Sequence, residues 1–594
     1  MSITTLTEMF LAGLEHDKPD CFLYKTDGVY QPLSTADFYV NVRRVAAALL
    51  EFGVSRGDRV ALMAENGTHW PTVDYAALSI GAVLVPIYPT LTPDQAAYVA
   101  NDCGAEVVFV QGRERYDGMI SERSDTPQVR QYVVIDDDIS SGDTLAFAQL
   151  LSATEPMSEE AFRASALLSK PEDLATFIYT SGTTGNPKGV MLTHGNLTSN
   201  MLSSSQAIEI RRDQTGLSFL PLSHSFERIV DFIYFYKGAT IAYAESVQAV
   251  GQNLMEVKPH FFVSVPRVYE KVLNKVRENV AIAPPLRQKI FAWAERVGRE
   301  ALPYRLRRES PPGLLGLKLK IADKLVFGKI RDRLGGRFET ATSGGAPLSK
   351  DLSEFFWAAG IEIYEGYGLS ETSPVLTVNG PGKVKLGTVG AVIEGVTLRI
   401  ADDGEILAKG PNIMRGYHNL PEQTAEAIDA DGWFHTGDIG EIDEEGFLKI
   451  TDRKKEIIVN AYGKNVAPAP IENHLKMSRF IEQAVVIGDQ RKFLSAVLVP
   501  DFEALGNWAV KEGLSTDNRP ALLDDPKTMK LFEGEVAAIN EELAKYEMIR
   551  AFDLLSEEFS IEGGELTPTQ KVKRRIVATK YATVIDGIYE RAGR

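Results

Sequence analysis

Cysteine is nearly absent from this chain. Its 594 residues hold two, Cys21 and Cys103, too few and too widely spaced for a disulfide framework or a thiolate metal cluster. Such usage fits a reducing cytoplasm. Positive charge is also scarce: 64 Lys and Arg face 81 Asp and Glu, a formal net charge of −17. General nucleic-acid binding needs a basic footprint and is excluded. No basic stretch followed by an apolar core occupies residues 1–20, so no secretory leader is read there. The uncharged run Tyr75–Pro93 contains Gly81, Pro86 and Pro89 and is too short to span a bilayer; it reads as a buried helix followed by a strand. What is present is 44% hydrophobic and 24% charged, a folded globular composition with length for two to four domains.

Over the first 450 residues, β-rich runs alternate with amphipathic stretches. Residues 106–110, 132–135, 175–179 and 261–265 read as strands, and 35–52 and 93–102 as helices. Interleaving of this kind predicts a layered α/β architecture with largely parallel sheets. After Arg453 the texture changes. Helical 470–477 and 532–546, with strands at 483–487 and 496–500, predict a small separate α+β unit. The expected division is a large domain over 1–452 and a small domain over 453–594, with turn-rich 443–455 at the junction and 157–169 as a surface connection.

One segment reverses the charge balance. From Arg267 to Arg337, 18 Lys and Arg stand against 7 Asp and Glu, a local excess of 11 positive charges. Leu286, Ile290, Trp293, Leu315, Leu319 and Val326 fall between the charges at roughly helical spacing. Solvated surface helices give this pattern. So does a membrane-surface patch or a collar for an anionic ligand; the membrane reading sets Arg305, Arg307 and Arg308 against anionic lipid and would place the protein peripherally at the inner membrane surface.

The most informative stretch is Tyr179-Thr180-Ser181-Gly182-Thr183-Thr184-Gly185-Asn186-Pro187-Lys188-Gly189. Glycines let backbone N–H groups approach phosphate oxygens, hydroxyls add donors, and the lysine adds a point charge. A Gly/Thr-rich surface turn has the same composition. A Walker loop it is not, because Pro187 and Gly189 flank the lysine where that pattern needs Gly and Ser or Thr. Further along come Ser343-Gly344-Gly345-Ala346-Pro347, then Tyr364-Glu365-Gly366-Tyr367-Gly368-Leu369-Ser370-Glu371-Thr372. After these stand Gly432-Trp433-Phe434-His435-Thr436-Gly437-Asp438, Asp452-Arg453-Lys454-Lys455 and Gly564-Glu565-Leu566-Thr567-Pro568-Thr569-Gln570-Lys571.

In this order the segments resemble the adenylate-forming (AMP-binding) superfamily of acyl-CoA synthetases, adenylation domains and luciferases, from about Gly57 to Lys573. Leu220–Arg228, Val265–Lys271 and Tyr462–Pro468 resemble its long-chain fatty acyl-CoA synthetase branch. That branch also carries a basic insertion. The resemblance implies a large N-terminal domain of layered α/β subdomains, a small mobile C-terminal α+β domain, and a two-step ligase using a fatty acid, ATP, CoA and Mg²⁺. An acyl-AMP ligase that loads a carrier protein, and a non-catalytic relative, are the alternatives.

Site roles follow from the same resemblance. Thr180, Ser181, Gly182, Thr183, Thr184, Gly185 and Lys188 would cradle phosphates. Glu371, with Thr180 nearby, would hold Mg²⁺, and Ser370 would contact the α-phosphate. Tyr367 would face adenine with Gly345, Ala346 and Pro347 lining the other side, Glu365, Gly366 and Gly368 would also bind the nucleotide, and Asp438 and Arg453 would bind ribose. Lys571 would reach the α-phosphate and the carboxylate. Tyr462, Gly463 and Lys464 would border the CoA channel, and Lys455 would be the hinge. His224 reads equally as a wall of the carboxylate pocket or as a satisfied buried histidine. Some relatives have a gating aromatic where this chain has Arg228, and Phe232–Tyr236 reads as core ahead of an acyl tunnel.

Overall fold

Strands and helices alternate as the sequence pattern requires, and the strands collect into two large sheets. The computed structural model describes residues 3–180, 186–462, 464–561, 563–567 and 571–592. Among the described residues, one sheet has eight strands, with Leu174–Thr180, Val83–Ile87, Arg59–Met63, Ala105–Gln111 and Gln131–Ile135 parallel at its centre. The second has nine, and its parallel interior includes Thr215–Ser218, Phe261–Ser264, Thr340–Ser343 and Glu362–Gly368. Every residue of Val83–Ile87 is buried, as expected of a parallel strand covered on both faces. The Tyr75–Pro93 run resolves into the end of helix His69–Ser79 and this strand.

Helices cover the sheets with their apolar stripes. Helix Thr35–Glu51 starts where the Ser34 hydroxyl accepts from the Asp37 amide, and it buries Phe38, Val42, Val45 and Leu49. Helix Ser225–Lys237 lies between the sheets. It places Phe232, Tyr234 and Phe235 in the main core with Phe10, Phe22 and Tyr75, so this aromatic cluster is core, as its composition suggested. Arg228 on the same helix is buried against both carboxylate oxygens of Asp74, at 2.8 and 2.5 Å, and against the Thr176 hydroxyl at 2.8 Å. It is therefore a core ion pair and gates nothing by aromatic bulk.

Three readings need correction. Residues 157–169 are more than a connection: Ser158 caps helix Glu159–Ala166, which buries Phe162 and Ala166 in the main core. The helix expected at 532–546 runs Pro526–Asn540. It stops where the Asn540 side chain pairs with both backbone groups of Ile549 and binds the next strand. Residues 443–452 do not form a junction. Asp443 closes a turn by accepting from the Glu445 and Phe447 amides, and Leu448–Arg453 pairs with Phe434–Ile442 in a four-stranded sheet.

Beyond Arg453 a separate hydrophobic cluster begins at Ile458 and gathers Leu475, Val486, Leu498, Leu505, Phe532 and Ile549. It surrounds a three-stranded sheet of Ile481–Ile487, Leu494–Pro500 and Ile549–Leu554. This unit touches the basic segment of the preceding chain. Arg267 and Lys271 pair with Glu482, Lys275 lies 3.5 Å from Glu503, and the Ser349 hydroxyl donates to the Met477 sulfur at 3.3 Å.

Candidate active site

Strand ends bring the candidate residues together. Thr180 and Lys188 are cross-strand partners in the antiparallel pair Leu174–Thr180 and Lys188–Thr193. Both ends of the Gly/Thr-rich loop are thus anchored to the sheet. Ser181, Gly182, Thr183, Thr184 and Gly185 lie outside the described residues. On the other sheet, Ser343 pairs with Glu365, so Gly345, Ala346 and Pro347 leave the sheet beside Gly366, Tyr367 and Gly368. Ligands of open α/β sheets bind at such carboxyl ends of strands. Gly345 takes φ +78°, a left-handed conformation that suits glycine. At Gly368 a Cβ would stand 1.7 Å from the Pro374 carbonyl oxygen, so only glycine fits.

Glu371 sits in the short turn Ser370–Thr372, pinned by two asparagines. Asn412 donates to the Thr372 carbonyl at 2.8 Å, and Asn200 donates to Val375 at 2.6 Å while accepting from its amide. The Tyr417 hydroxyl donates to Glu371 Oε1 at 2.9 Å, and the Lys188 ammonium stands 5.0 Å from the centre of the Tyr417 ring. Tyr417 therefore ties the lysine to the carboxylate. None of Tyr417, Asn200 and Asn412 was singled out from sequence.

Asp438 and Arg453 face each other across an antiparallel pair, and Arg453 Nε donates to Asp438 Oδ1 at 3.0 Å. The other carboxylate oxygen accepts from the Tyr367 hydroxyl at 2.6 Å. Tyr367 thus joins the two sheets' contributions, and burial followed by the Asp438 charge pushes its phenol far above the ordinary tyrosine value. Glu365 is buried beside it. Burial pushes its carboxyl up to about 8.

His224 caps helix Ser225–Lys237 by accepting from the Phe226 amide at its Nδ1, 3.1 Å away. Its neighbours bind this corner to the cluster: the Ser225 and Ser370 hydroxyls are 3.4 Å apart, and the Phe226 ring packs against Gly344. Burial and then the Lys571 charge push His224 down to about 4, so it is neutral at physiological pH. It is a satisfied cap.

Lys571 comes from the second unit. Thr567 and Lys571 close a tight turn through the bond from the Thr567 amide to the Lys571 carbonyl at 2.8 Å and the Lys571 amide to the Thr567 hydroxyl at 3.0 Å. Lys571 keeps part of its surface in solvent while protein crowds its ammonium. Its ammonium is held below the ordinary lysine value by lost hydration, then by the Arg453 cation, while Asp438 and Glu371 oppose the shift. Across the two units, the Lys571 ammonium thus lies within electrostatic reach of Arg453, Asp438 and Glu371.

Two expected residues stand elsewhere. Tyr462 is 72% exposed and Lys464 is exposed; Asn460 Oδ1 accepts from both of their amides at 3.0 Å. Gly463 between them lies outside the described residues. Lys455 is exposed, two residues past Arg453. Among the described residues no group of three or more His, Cys, Asp or Glu is arranged to hold a metal ion. A lone carboxylate such as Glu371 fits Mg²⁺, which keeps water and substrate phosphate oxygens as its other ligands.

Residues 15–418 match the family model of the AMP-binding enzyme, and residues 455–593 match that of the AMP-binding enzyme C-terminal domain. The long-chain-fatty-acid–CoA ligase FadD15 of Mycobacterium bovis is 39% identical over 587 residues, covering 97% of this chain and 96% of that protein. Long chain acyl-CoA synthetase 7, peroxisomal, of Arabidopsis thaliana is 33% identical over 591 residues, covering 95% and 82%. In fold, the anthranilate CoA ligase AuaEII, solved in complex with anthranoyl-AMP, superposes with a TM-score of 0.75 over 98% of each chain at 19% identity. The chain belongs to the AMP-binding enzyme family, beside its long-chain-fatty-acid–CoA ligases.

Proposed function

We propose that the protein activates a long-chain fatty acid with ATP and transfers the acyl group to CoA. In the first step a carboxylate oxygen attacks the α-phosphorus of ATP, and the bond to the departing pyrophosphate breaks. In the second the CoA sulfur attacks the acyl carbon and AMP leaves. The observation that supports this reading is the grouping of Glu371, Asp438 and Arg453 within electrostatic reach of Lys571 from the second unit, with Lys188 linked to Glu371 through Tyr417. The first step brings anion to anion, so preorganised cations aimed at the phosphates lower its barrier most.

Lys188 and the loop after Thr180 hold the β- and γ-phosphates, and Asp438 and Arg453 hold the ribose. Lys571 sits at the α-phosphate and the carboxylate. With Oε1 of Glu371 taken by Tyr417, Oε2 is the atom we assign to Mg²⁺, whose bound charge would neutralise developing phosphate charge. Neutral His224 adds a wall beside the carboxylate without adding charge. We assign residues 1–452 to the nucleotide and fatty-acid site and 453–594 to a lid that turns about Lys455. With Lys571 near Glu371 and with Tyr462 and Lys464 in solvent, we assign this arrangement to adenylation; the second step would require rotation to bring the Tyr462–Lys464 loop inward. We place the enzyme in the cytoplasm, at the membrane surface where its substrate dissolves.

The test is thioester formation from ATP, CoA and a chain-length series of fatty acids, with AMP and pyrophosphate measured. Stoichiometric acyl-CoA from long chains is expected. Acyl transfer to a carrier protein in preference to CoA, or no pyrophosphate release from ATP and fatty acid, would overturn the assignment.

A further inference from the structure

The basic segment folds into a helical hairpin. Helix Pro285–Leu306 packs against Gly313–Ala322, which continues through a wider π turn, Asp323–Phe327, into Gly328–Asp332. One face of the second arm is ordinary core: Leu315, Leu319 and Val326 pack on the cluster containing Phe262, Ala341 and Ile363, and Ala322 and Phe327 are buried. The opposite face is also apolar, and it is bare. Leu314, Leu317, Ile321 and Leu325 are 75%, 56%, 45% and 43% exposed. At about 100° per residue, Leu314, Leu317 and Ile321 fall within an arc of about 60°, and Leu325 extends the stripe across the π turn.

A helix apolar on both faces belongs inside a protein or against another apolar phase. What surrounds the stripe says which phase. Lys318 flanks it on one side and Lys320 and Lys324 on the other, long stems beside the leucines and ammonium groups beyond them. Asp323, on this arm, is engaged by Arg331 through two bonds of 2.8 Å. An isologous contact with a second copy would set these lysines against themselves. The arginines that stand out in the sequence face other duties: Arg307 pairs with Glu309, Arg308 with Glu362 and Tyr364, and Arg305 lies partly buried against Gly360. The lysine-flanked stripe is thus cationic as well as apolar. Among the described residues no helix is long and apolar enough to cross a membrane, so contact here lies in the plane of the surface.

We infer that the arm Gly313–Phe327 docks on an anionic lipid surface, with Leu314, Leu317, Ile321 and Leu325 seated at the headgroup–acyl boundary and Lys318, Lys320 and Lys324 among the headgroups. The inner face of the arm packs on the core cluster that also holds Ala341 and Ile363, on the strands leading to Gly345 and Tyr367, so docking orients the site relative to the membrane. The docking stands on the stripe alone; its use, collecting fatty acid where it is dissolved, rests on the ligase reading.

The experiment uses the full chain and flotation on phosphatidylcholine vesicles with and without phosphatidylglycerol. Because Cys21 and Cys103 are buried, Leu317→Cys can carry an environment-sensitive fluorophore. We expect flotation with anionic vesicles only, and a probe signal reporting an apolar surrounding. Lys318→Glu with Lys324→Glu should weaken binding at least about tenfold, since each basic residue at such a surface commonly contributes about fivefold. Leu317→Glu with Ile321→Glu should abolish flotation while leaving ligase turnover of albumin-delivered fatty acid at the wild-type rate. Flotation of that double variant like wild type, or a probe that stays in water, overturns the docking. So does a dimer in sedimentation that the double variant dissolves, which assigns the stripe to self-association. Loss of ligase turnover in a protein that still floats counts against the activity and leaves the docking intact.

Discussion

Tyr417 is hydrogen-bonded to Glu371 at 2.9 Å and lies beneath the Lys188 ammonium. One residue thereby holds the two charges assigned to the phosphates at a set separation. Tyr417→Phe keeps the ring for Lys188 and removes the bond to Glu371. ATP–pyrophosphate exchange should fall about tenfold, the worth of one hydrogen bond to a charged group, and the Mg²⁺ requirement should rise. Unchanged exchange and an unchanged Mg²⁺ titration would deny Tyr417 an orienting role.

Glu371 itself carries the larger effect. Glu371→Gln should remove two to three orders of magnitude of adenylate formation, about 3–4 kcal/mol, in a protein with wild-type circular dichroism. Near-wild-type exchange in that variant would take the metal role away from Glu371.

Lys571 gives the reaction a pH signature. Its ammonium is held below the usual lysine value by lost hydration and by Arg453. As pH rises the proton therefore leaves earlier than from a free lysine, and kcat/KM for adenylation should decline on the alkaline side at correspondingly lower pH. Lys571→Arg keeps its charge throughout and should lose that decline, whereas Lys571→Ala should impair adenylation and spare thioester formation from supplied acyl-AMP. An alkaline decline that persists in the arginine variant would move its origin to another group.

Arg267 and Glu482 join the two units, with Lys271 and Lys275 adding longer pairs. They favour the arrangement in which Lys571 faces Glu371. Glu482→Gln should reduce this preference by about 1 kcal/mol or less, the scale of partly exposed pairs, so adenylation slows a fewfold while transfer from acyl-AMP to CoA is unchanged or faster. Lys455→Pro, which locks φ at the hinge, should do the reverse and retain adenylation while transfer falls. Equal losses in both half-reactions for both variants would end the alternation scheme.

Arg228 and Asp74 form a buried ion pair in the main core. Burial raises the Asp74 carboxyl even with the guanidinium beside it. Arg228→Ala leaves that carboxyl without its partner, and the urea unfolding midpoint should drop by the equivalent of about 3–5 kcal/mol. Replacing both, Arg228→Met with Asp74→Leu, should be far milder. Equal loss in the single and double variants would locate the stability in packing alone.

Much of the candidate site could be read from sequence because its motifs are local. The Tyr179–Gly189 loop, the Gly432–Asp438 segment and Arg453 each carry their own spacing, and alternation of apolar runs was enough to announce parallel strands such as Val83–Ile87. Tyr417 was not legible, since its partner Glu371 is 46 residues away, nor was Asn200, 172 residues from Thr372. No sequence pattern marks a side chain whose role is created by a distant contact. The hairpin arm shows the same division. Its sequence specified a helix with leucines on two faces and lysines between them. Only the tertiary structure decided that Leu315 and Leu319 meet the core while Leu314 and Leu317 meet solvent, because local periodicity sets where side chains point and packing alone sets what they face.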